Sequence, residues 1–355
     1  MSSPTASTSG ETLTEVVLPG LVAPDGLVVR HRPVPVPSKG EALVQVLATG
    51  VSFAEQGMRR GRYPGQPKFP FVLGYDLVGT VTAVGAEVDP ALVGRRVAAV
   101  TKIGAWTTHA LVDARDLVPV PADLDPAEVE TVVVNGITAW QMLHRKARVR
   151  RGQTILVHGA NGGVGSTLVQ LARHAGVRVI GTAAPRHHDA LRQAGVEPID
   201  YHDPRLADRV RALAPGGVHA AFDHLGKRSF ERSFGLLARG GTLVAYGTAT
   251  EVNDTGSVVL NFVRIFARLT WWSLLPNGRR ALFYDFWGGS RTRPERFRRR
   301  LAADLTSVLA LLADGSLTAH VAARLPLAEA REAMALAESR TVYGKVVLPG
   351  DGEPR

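Results

Sequence analysis

The sequence predicts an α/β protein in two parts, a β-rich domain followed by a doubly wound parallel sheet. Up to about residue 120, short apolar runs alternate with proline and glycine turns, the pattern of a partly antiparallel β domain. From residue 154 onward, apolar strands alternate with helical stretches, which gives a parallel sheet covered on both faces. The length of 355 residues fits two domains, since one domain usually runs to about 100–200 residues.

The chain opens on MSSPTASTSG, small and polar, and residues 1–12 read as a disordered tail. Residues 16–18, 27–29 and 42–47 read as strands, split by Pro33, Pro35 and Pro37. Residues 50–64 (GVSFAEQGMRRGRYP) read as a loop with a short helix. Residues 69–85 (FPFVLGYDLVGTVTAVG) are strand-like with glycines between the runs, and 97–100 and 109–112 continue the pattern. Asp125 before Pro126 is a helix-cap signal, and residues 132–145 (VVVNGITAWQMLHR) read as helix.

Further strands fall at 155–158, 177–181, 220–223 and 243–247, with helices at 189–194, 206–213 and 230–238 between them. The stretch 262–287 concentrates Phe262, Phe266, Trp271, Trp272, Phe283, Tyr284, Phe286 and Trp287 in a chain with only 6% aromatics. A basic run follows at 291–300. Leu301, Leu305, Val308, Leu309 and Leu312 then share one helical face, and Gly315 is placed as its C-terminal cap. Residues 343–348 (YGKVVL) read as a last strand, and no internal repeat is present.

The chain is organised around residues 154–170, TILVHGANGGVGSTLVQ, which read as strand, glycine turn and helix. This is a dinucleotide fingerprint with Ala160 at the first glycine position and Gly162 and Gly165 at the second and third. Gly162 lets backbone approach a pyrophosphate, and Gly165 lets the helix pack close to the strand. The helix N-terminus then offers unpaired N–H groups and a partial positive charge. Ala160, Asn161, Gly162, Gly163 and Val164 are the candidate phosphate contacts.

A dinucleotide unit for NAD carries Asp or Glu at the end of its second strand, about 20 residues past the glycines, to hold the ribose hydroxyls. Here that strand ends Gly181-Thr182-Ala183-Ala184, with no acid, and Arg186, His187 and His188 follow. Cations pair with a 2′-phosphate that an acid would repel. NADPH is therefore expected over NADH, with Thr182, Arg186 and His187 at that end of the site.

The chain contains no cysteine, so disulfides and cysteine-ligated metals are excluded. His187 and His188 are adjacent and lack the i,i+4 spacing of helical metal ligands, and no metal is expected. The formal net charge of +10 favours an anionic partner: a phosphorylated cofactor, a nucleic acid or a membrane surface. No RNA-binding motif accompanies the basic run, so specific nucleic-acid binding is not expected. No secretory signal opens the chain and no run approaches the roughly 20 apolar residues of a membrane span, so a cytoplasmic location is expected.

The segments GVSFAEQGMRRGRYP, LGYDLVGTVTAVG, NGITAWQML, HGANGGVGSTLVQLA, AFDHLGKRSFERSFGLLARGGTLVAYG and YGKVVL, in this order, resemble the medium-chain dehydrogenase/reductase superfamily over about residues 15–349. The likeness is to its zinc-free quinone oxidoreductases, and ARLTWWSLLPNGRR is similar to the vesicle amine transport protein 1 branch. Zinc members carry Gly-His-Glu where this chain has Gly74-Tyr75-Asp76. The resemblance implies a GroES-like catalytic domain over 13–134 and 289–355 and an NADPH-binding Rossmann domain over 135–288. It implies a quinone or α,β-unsaturated carbonyl as substrate and a homodimer paired through the apolar strand 281–286 (ALFYDF).

It also implies site residues. Tyr63 matches a cleft tyrosine of enoyl reductases and is the expected proton-side group. Ser52 stands where the family often has Asn, and Glu55 where it has Asp. Lys345 is implied near the nicotinamide end, and Tyr201 at the 2′-phosphate. Asn135, Thr138, Leu225, Gly226, Tyr246, Gly247 and Thr248 match the cofactor wall.

A rival expectation is a non-catalytic protein that lies against lipid through the 262–287 aromatics and the neighbouring arginines. The favoured expectation is that these aromatics line a cleft or a subunit interface.

Overall fold

The computed structural model describes residues 10–250 and 256–350. Residues 1–9 of the expected tail and 351–355 of the expected catalytic part lie outside the described residues. The tail expectation overran the boundary, because Thr12 already pairs with Pro33.

The first part contains β1 (Thr12–Leu18), β2 (Val28–Pro33), β3 (Glu41–Val51), α1 (Phe53–Arg59), β4 (Phe71–Val72), β5 (Asp76–Val84), β6 (Arg96–Val100), β7 (His109–Asp113) and β8 (Val118–Pro119). Helix α2 (Pro126–Trp140) leads to the second part. There β9 (Thr154–His158), α3 (Gly163–His174), β10 (Arg178–Ala183), α4 (His188–Gln193), β11 (Glu197–Asp200), α5 (Leu206–Leu213), β12 (Val218–Asp223), α6 (Lys227–Gly235), β13 (Leu237–Ala245), α7 (Val258–Leu274) and β14 (Arg280–Phe283) follow. The chain returns through α8 (Pro294–Ala313), β15 (Val321–Arg324), α9 (Ala330–Glu338) and β16 (Lys345–Pro349).

The second part is a six-stranded sheet in the order β11-β10-β9-β12-β13-β14. Every pairing in it is parallel. The order reverses beside β9, which is the doubly wound arrangement and puts a crevice at the C-terminal ends of the strands. Ile155 and Val157 face one apolar layer with Leu168 and Val169, while Leu156 faces the other with Ile180 and Phe230. Burial on both faces is why these strands read as continuous apolar runs. Each such side chain contributes roughly 1.5–3 kcal/mol on full burial.

The last strand belongs to the first part: β16 runs antiparallel to β3, with Val346 opposite Val51. Buried Leu305 and Val308 of α8 join the core that contains Val132 and Ile137 of α2. The helix expected at 132–145 begins at Pro126, because Asp125 accepts from Glu128 N at 2.9 Å and Pro126 needs no N–H partner. It passes into a π-helical turn at Gln141–Ala147 and stops at Arg148, whose φ is 53°. The boundary expected between residues 134 and 135 thus falls inside a continuous helix.

Three other expectations shift. The helix placed at 230–238 spans Lys227–Gly235, since Leu237 opens β13. The strand placed at 243–247 ends at Ala245, where Tyr246 N turns back to Asp223 O at 3.0 Å. The strand placed at 281–286 is Arg280–Phe283, and the Tyr284 hydroxyl points inward to Gln141 Oε1 at 3.1 Å. The first half of the aromatic stretch is α7. Its inner face buries Ile265 and Leu269 and stacks Trp272 on Phe234, while Val259, Trp271 and Leu274 stay exposed. Helical spacing there was masked because apolar residues cover both faces.

Candidate functional site

The glycine turn joins β9 to α3 at the crevice. Gly159 has φ +66°, a left-handed conformation that favours glycine, and a Cβ there would meet His224 Cε1 at 2.6 Å. A Cβ on Gly165 would lie 2.0 Å from Gly159 O, so α3 can approach the turn only with glycine at that position. Gly162 is the N-cap of α3 and supplies no side-chain cap. A Cβ on it would meet only Gly159 O at 3.4 Å, which leaves the space before the helix end open. This cradle fits a pyrophosphate.

Other expected turn residues divide by role. Ala160 is buried, and its N–H donates to Thr182 O at 3.0 Å, pinning the turn to β10. Asn161 O accepts from Gly344 N at 3.1 Å, so the segment before β16 seats on the turn. A Cβ on Gly163 would come within 2.5 Å of Asn135 Nδ2, which places Asn135 against the turn. Val164 is partly buried against the sheet core.

Thr182 lies beneath the turn and is buried. Its Oγ1 accepts from Gly159 N at 3.3 Å and lies 3.1 Å from His158 Nδ1. His158 Nε2 lies 3.0 Å from Ser233 Oγ, which donates to Asp223 Oδ2 at 2.7 Å. Asp223 Oδ1 accepts from Leu225 N at 2.9 Å. Since Ser233 gives its hydrogen to the carboxylate, His158 Nε2–H donates to Ser233 and Nδ1 accepts from Thr182. Burial lowers the His158 pKa, which keeps it neutral as this pattern requires. Thr182 therefore supports the turn from below. His158, Asp223 and Ser233 escaped the sequence reading, because each looks like an ordinary polar residue until the strands are adjacent.

At the end of β10, Arg186 is exposed and donates to Arg340 O at 2.8 Å. Arg340 has φ +58° and donates to Ala249 O at 3.3 Å. Tyr201 N donates to Ala183 O at 3.4 Å, which brings Tyr201, 46% exposed, to the same strand end. His187 is buried, its ring 5.9 Å from that of Tyr343, and burial lowers its pKa. Its Nε2 accepts from Arg186 Nε at 3.2 Å, so this ring is neutral and the cations at the rim are Arg186 and Arg340. Arg340 had no sequence signal beyond a basic residue following a helix.

The loops after β12 and β13 meet at the crevice. Leu225 O accepts from Thr250 N at 2.9 Å, and Gly226 has φ +132°. The Tyr246 hydroxyl lies 3.4 Å from His224 Nδ1. Burial raises the Tyr246 phenol and lowers His224 to about 4. A Cβ on Gly247 would meet His224 Cβ at 3.1 Å, and Thr248 next to it is half-buried. Thr138 is buried in α2, one turn before Gln141, whose Oε1 accepts from the Tyr284 hydroxyl.

On the first part, Ser52 caps α1. Its Oγ accepts from Ala54 N at 3.2 Å and donates to Glu55 Oε2, which also accepts from Ser52 N at 2.9 Å. Glu55 Oε1 accepts from Tyr75 N at 2.8 Å. Glu55 is fully buried, and burial raises its pKa. Ser52 and Glu55, two of the three residues expected at the reacting end with Tyr63, are thus engaged in a capping box. Tyr63 Oη lies 2.7 Å from Tyr75 Oη, and Tyr75 Oη accepts from Trp287 Nε1. Lys345 Nζ is buried, 2.6 Å from Glu130 Oε1 and 3.1 Å from Asp76 Oδ2. Its backbone adjoins the glycine turn, but its ammonium is held in this ion cluster, not extended toward the open crevice.

The zinc position does not suit zinc. Tyr75 is held by Tyr63 and Trp287, Asp76 by Lys345 and by Val134 N at 3.0 Å, and the chain has no cysteine. Among the described residues no group of three or more His, Asp or Glu is arranged to hold a metal. Within the basic run, Arg298 pairs with Asp113, Asp116 and Glu295, and Arg300 donates to Gly288 O at 3.1 Å. Among the described residues no helix is long and apolar enough to cross a membrane.

A β-rich part, a parallel sheet with a glycine cradle at its crevice and a C-terminal return define a two-domain dehydrogenase/reductase with a dinucleotide-binding sheet. Residues 38–122 match the alcohol dehydrogenase GroES-like domain and residues 195–348 match the zinc-binding dehydrogenase family. The human synaptic vesicle membrane protein VAT-1 homolog is 30% identical over 347 residues, 94% of this chain and 86% of that protein. Mycobacterial Rv1454c, solved in complex with NADPH, is 29% identical, with a TM-score of 0.80 over 95% of this chain and 99% of that one. A mycobacterial quinone oxidoreductase structure is 31% identical, with a TM-score of 0.78 over 95% and 99% of the two chains. The chain belongs to the medium-chain dehydrogenase/reductase superfamily, in its branch of VAT-1 homologues and zinc-free quinone oxidoreductases.

Proposed function

We propose that the chain is an NADPH-dependent, zinc-free oxidoreductase that reduces a quinone or an α,β-unsaturated carbonyl. The observation that carries this reading is the Arg186–Arg340 contact at the end of β10, where an NAD site would have an acid. The complex of Rv1454c with NADPH and the quinone oxidoreductase neighbour support it.

Bound NADPH supplies the hydride. Gly162 and the α3 N-terminus hold the pyrophosphate, and Arg186, Arg340 and Tyr201 hold the 2′-phosphate. Asn135, Thr138 and the loops at Leu225–Gly226 and Tyr246–Thr248 form the wall. Tyr63 donates to the substrate oxygen as negative charge builds there. Ser52 and Glu55 hold α1, and so fix the loop that carries Tyr63. A cytoplasmic site of action belongs to the same proposal.

The test is a panel of quinones and enones, with NADPH and then NADH loss followed by absorbance. Turnover of either class with NADPH preferred supports the reading. No turnover across the panel, or preference for NADH, overturns it.

The exposed edge of β14 and the apolar outer face of α7 favour a homodimer paired there. The same face supports a second reading, a lipid-associated protein without turnover. Light scattering at micromolar concentration and sedimentation with anionic liposomes at low and moderate salt separate them. A dimer that stays in the supernatant supports the first, and a monomer that pellets with vesicles supports the second.

A further inference from the structure

Trp287 Nε1, Tyr75 Oη and Tyr63 Oη form a chain whose direction follows from donor chemistry. An indole N–H can only donate, so Trp287 gives its hydrogen to Tyr75 Oη. Tyr75 has one hydrogen left to place, and Tyr63 Oη lies 2.7 Å away. If Tyr63 were the donor, Tyr75 Oη would accept twice. Its own hydrogen would then lie unpaired in a buried setting between the rings of Phe286 and Trp287. Leaving a buried donor unpaired costs about 1–3 kcal/mol. With Tyr75 as the donor every buried hydrogen is used, and the half-buried Tyr63 keeps its own O–H free.

We infer that Tyr75 and Trp287 are positioning residues: a donor relay that turns the Tyr63 O–H toward the substrate and stabilises the oxygen it leaves behind. The inference rests on the reading of Tyr63 as the substrate-facing donor.

The relay is held at each point. Tyr75 N donates to Glu55 Oε1 at 2.8 Å, and Tyr75 O accepts from Thr101 N at 2.9 Å. The Tyr75 ring meets that of Tyr63 edge-on, with centroids 6.1 Å apart. Trp287 stacks on Phe297 at 5.7 Å, and its backbone N–H donates to Asp285 Oδ1 at 3.0 Å. Burial raises both phenols, Tyr75 well above its ordinary range, so Tyr75 stays a neutral donor. Lys102 Nζ, 5.7 Å from the centre of the Tyr63 ring, adds positive charge beside it.

In the step itself the Tyr63 O–H bond breaks and its proton joins the enolate oxygen left on the substrate by hydride addition. The electron pair stays on Tyr63 as phenolate, with the Tyr75 hydrogen directed at it, and a solvent proton restores the phenol. Successive donors in one chain polarise one another, so the relay strengthens as that charge develops.

The test uses the full chain with NADPH and an enone. Trp287→Phe is expected to lower kcat about two- to tenfold, the worth of one hydrogen bond, and Tyr75→Phe more, with the NADPH Kd unchanged. Tyr63→Phe is expected to lower kcat about 10²–10⁴-fold, and adding Trp287→Phe to it should cost nothing further. An equal loss from Trp287→Phe with and without the Tyr63 hydroxyl overturns the relay.

A second measurement does not depend on turnover. With a fluorinated tyrosine at position 63, absorbance follows the ionisation of that phenol alone. Its midpoint should rise in Trp287→Phe and in Tyr75→Phe, and an unmoved midpoint overturns the relay. If the midpoint rises while Tyr63→Phe keeps full kcat, the relay stands and the reading of Tyr63 as proton donor falls.

Discussion

Lys345 Nζ lies 2.6 Å from Glu130 Oε1, and both side chains are buried. Asp76 shares the same ammonium at 3.1 Å. Burial works against the charge on Lys345, but the two carboxylates outweigh it and its pKa is raised. Glu130 is pushed well above the ordinary carboxylate range by burial, against the pull of Lys345. The cluster ties β16 to β5 and α2, which places the C-terminal return against the glycine turn.

Lys345→Met should therefore destabilise the protein by about 3–5 kcal/mol, the usual effect of leaving a buried charge without its partner. The midpoint of urea denaturation measures it. Adding Glu130→Gln should recover part of the loss, since one of the stranded carboxylates is then gone. No change for the single variant would mean that water reaches the cluster.

Two glycines of the turn should respond differently to alanine. A Cβ on Gly165 would sit 2.0 Å from the Gly159 carbonyl, and backbone cannot yield there, so Gly165→Ala should lose stability and cofactor affinity together. A Cβ on Gly162 meets nothing nearer than 3.4 Å, so Gly162→Ala should fold normally and lose NADPH affinity alone. Thermal denaturation and fluorescence titration with NADPH distinguish the two. Normal NADPH affinity in Gly162→Ala would remove the pyrophosphate from this turn.

Arg186→Glu should weaken NADPH binding far more than NADH binding. The substitution puts an acid where the 2′-phosphate is proposed to sit and leaves the rest of the cradle alone. Arg340→Ala should act in the same direction, since it removes the second cation proposed to hold the 2′-phosphate. Dissociation constants for both cofactors give the answer, and equal losses would place the phosphate elsewhere.

His224 introduces a pH dependence. Burial lowers its pKa to about 4, whereas an unfolded histidine titrates near about 6.5. Between these values the unfolded chain binds more protons, so stability is full above about pH 6.5 and falls as pH drops toward about 4. Buried His158, also lowered, adds to this, while Glu55 and Glu130, raised by burial, act in the opposite sense. The diagnostic quantity is thus a difference: wild type should lose more stability from pH 7 to pH 5 than His224→Asn. Parallel losses would show that His224 is not kept neutral by the fold.

Chelation should leave activity intact. Incubation with EDTA or phenanthroline before assay tests this, and a loss restored by added zinc would overturn the zinc-free assignment.

Local features of the chain are legible in its residue order. Strand, turn and helix at residues 154–170 were legible because each depends on neighbours within a few positions. The missing acid after β10 and the missing cysteines were legible because they are matters of residue identity alone. Ser52 and Glu55 were singled out, but what they do was not: they form a capping box, and only the fold showed Glu55 also reaching Tyr75 N.

Contacts between residues far apart in the chain arise only from the fold. Arg340 meets Arg186 across 154 positions, Trp287 meets Tyr75 across 212, and Lys345 meets Asp76 across 269. No periodicity carries such pairs. They exist because β16 returns to pair with β3, and because the turn after β14 brings Trp287 back against the first part. Hydrogen bonds of this kind form only after the cores have packed, so their partners are set by the geometry of burial.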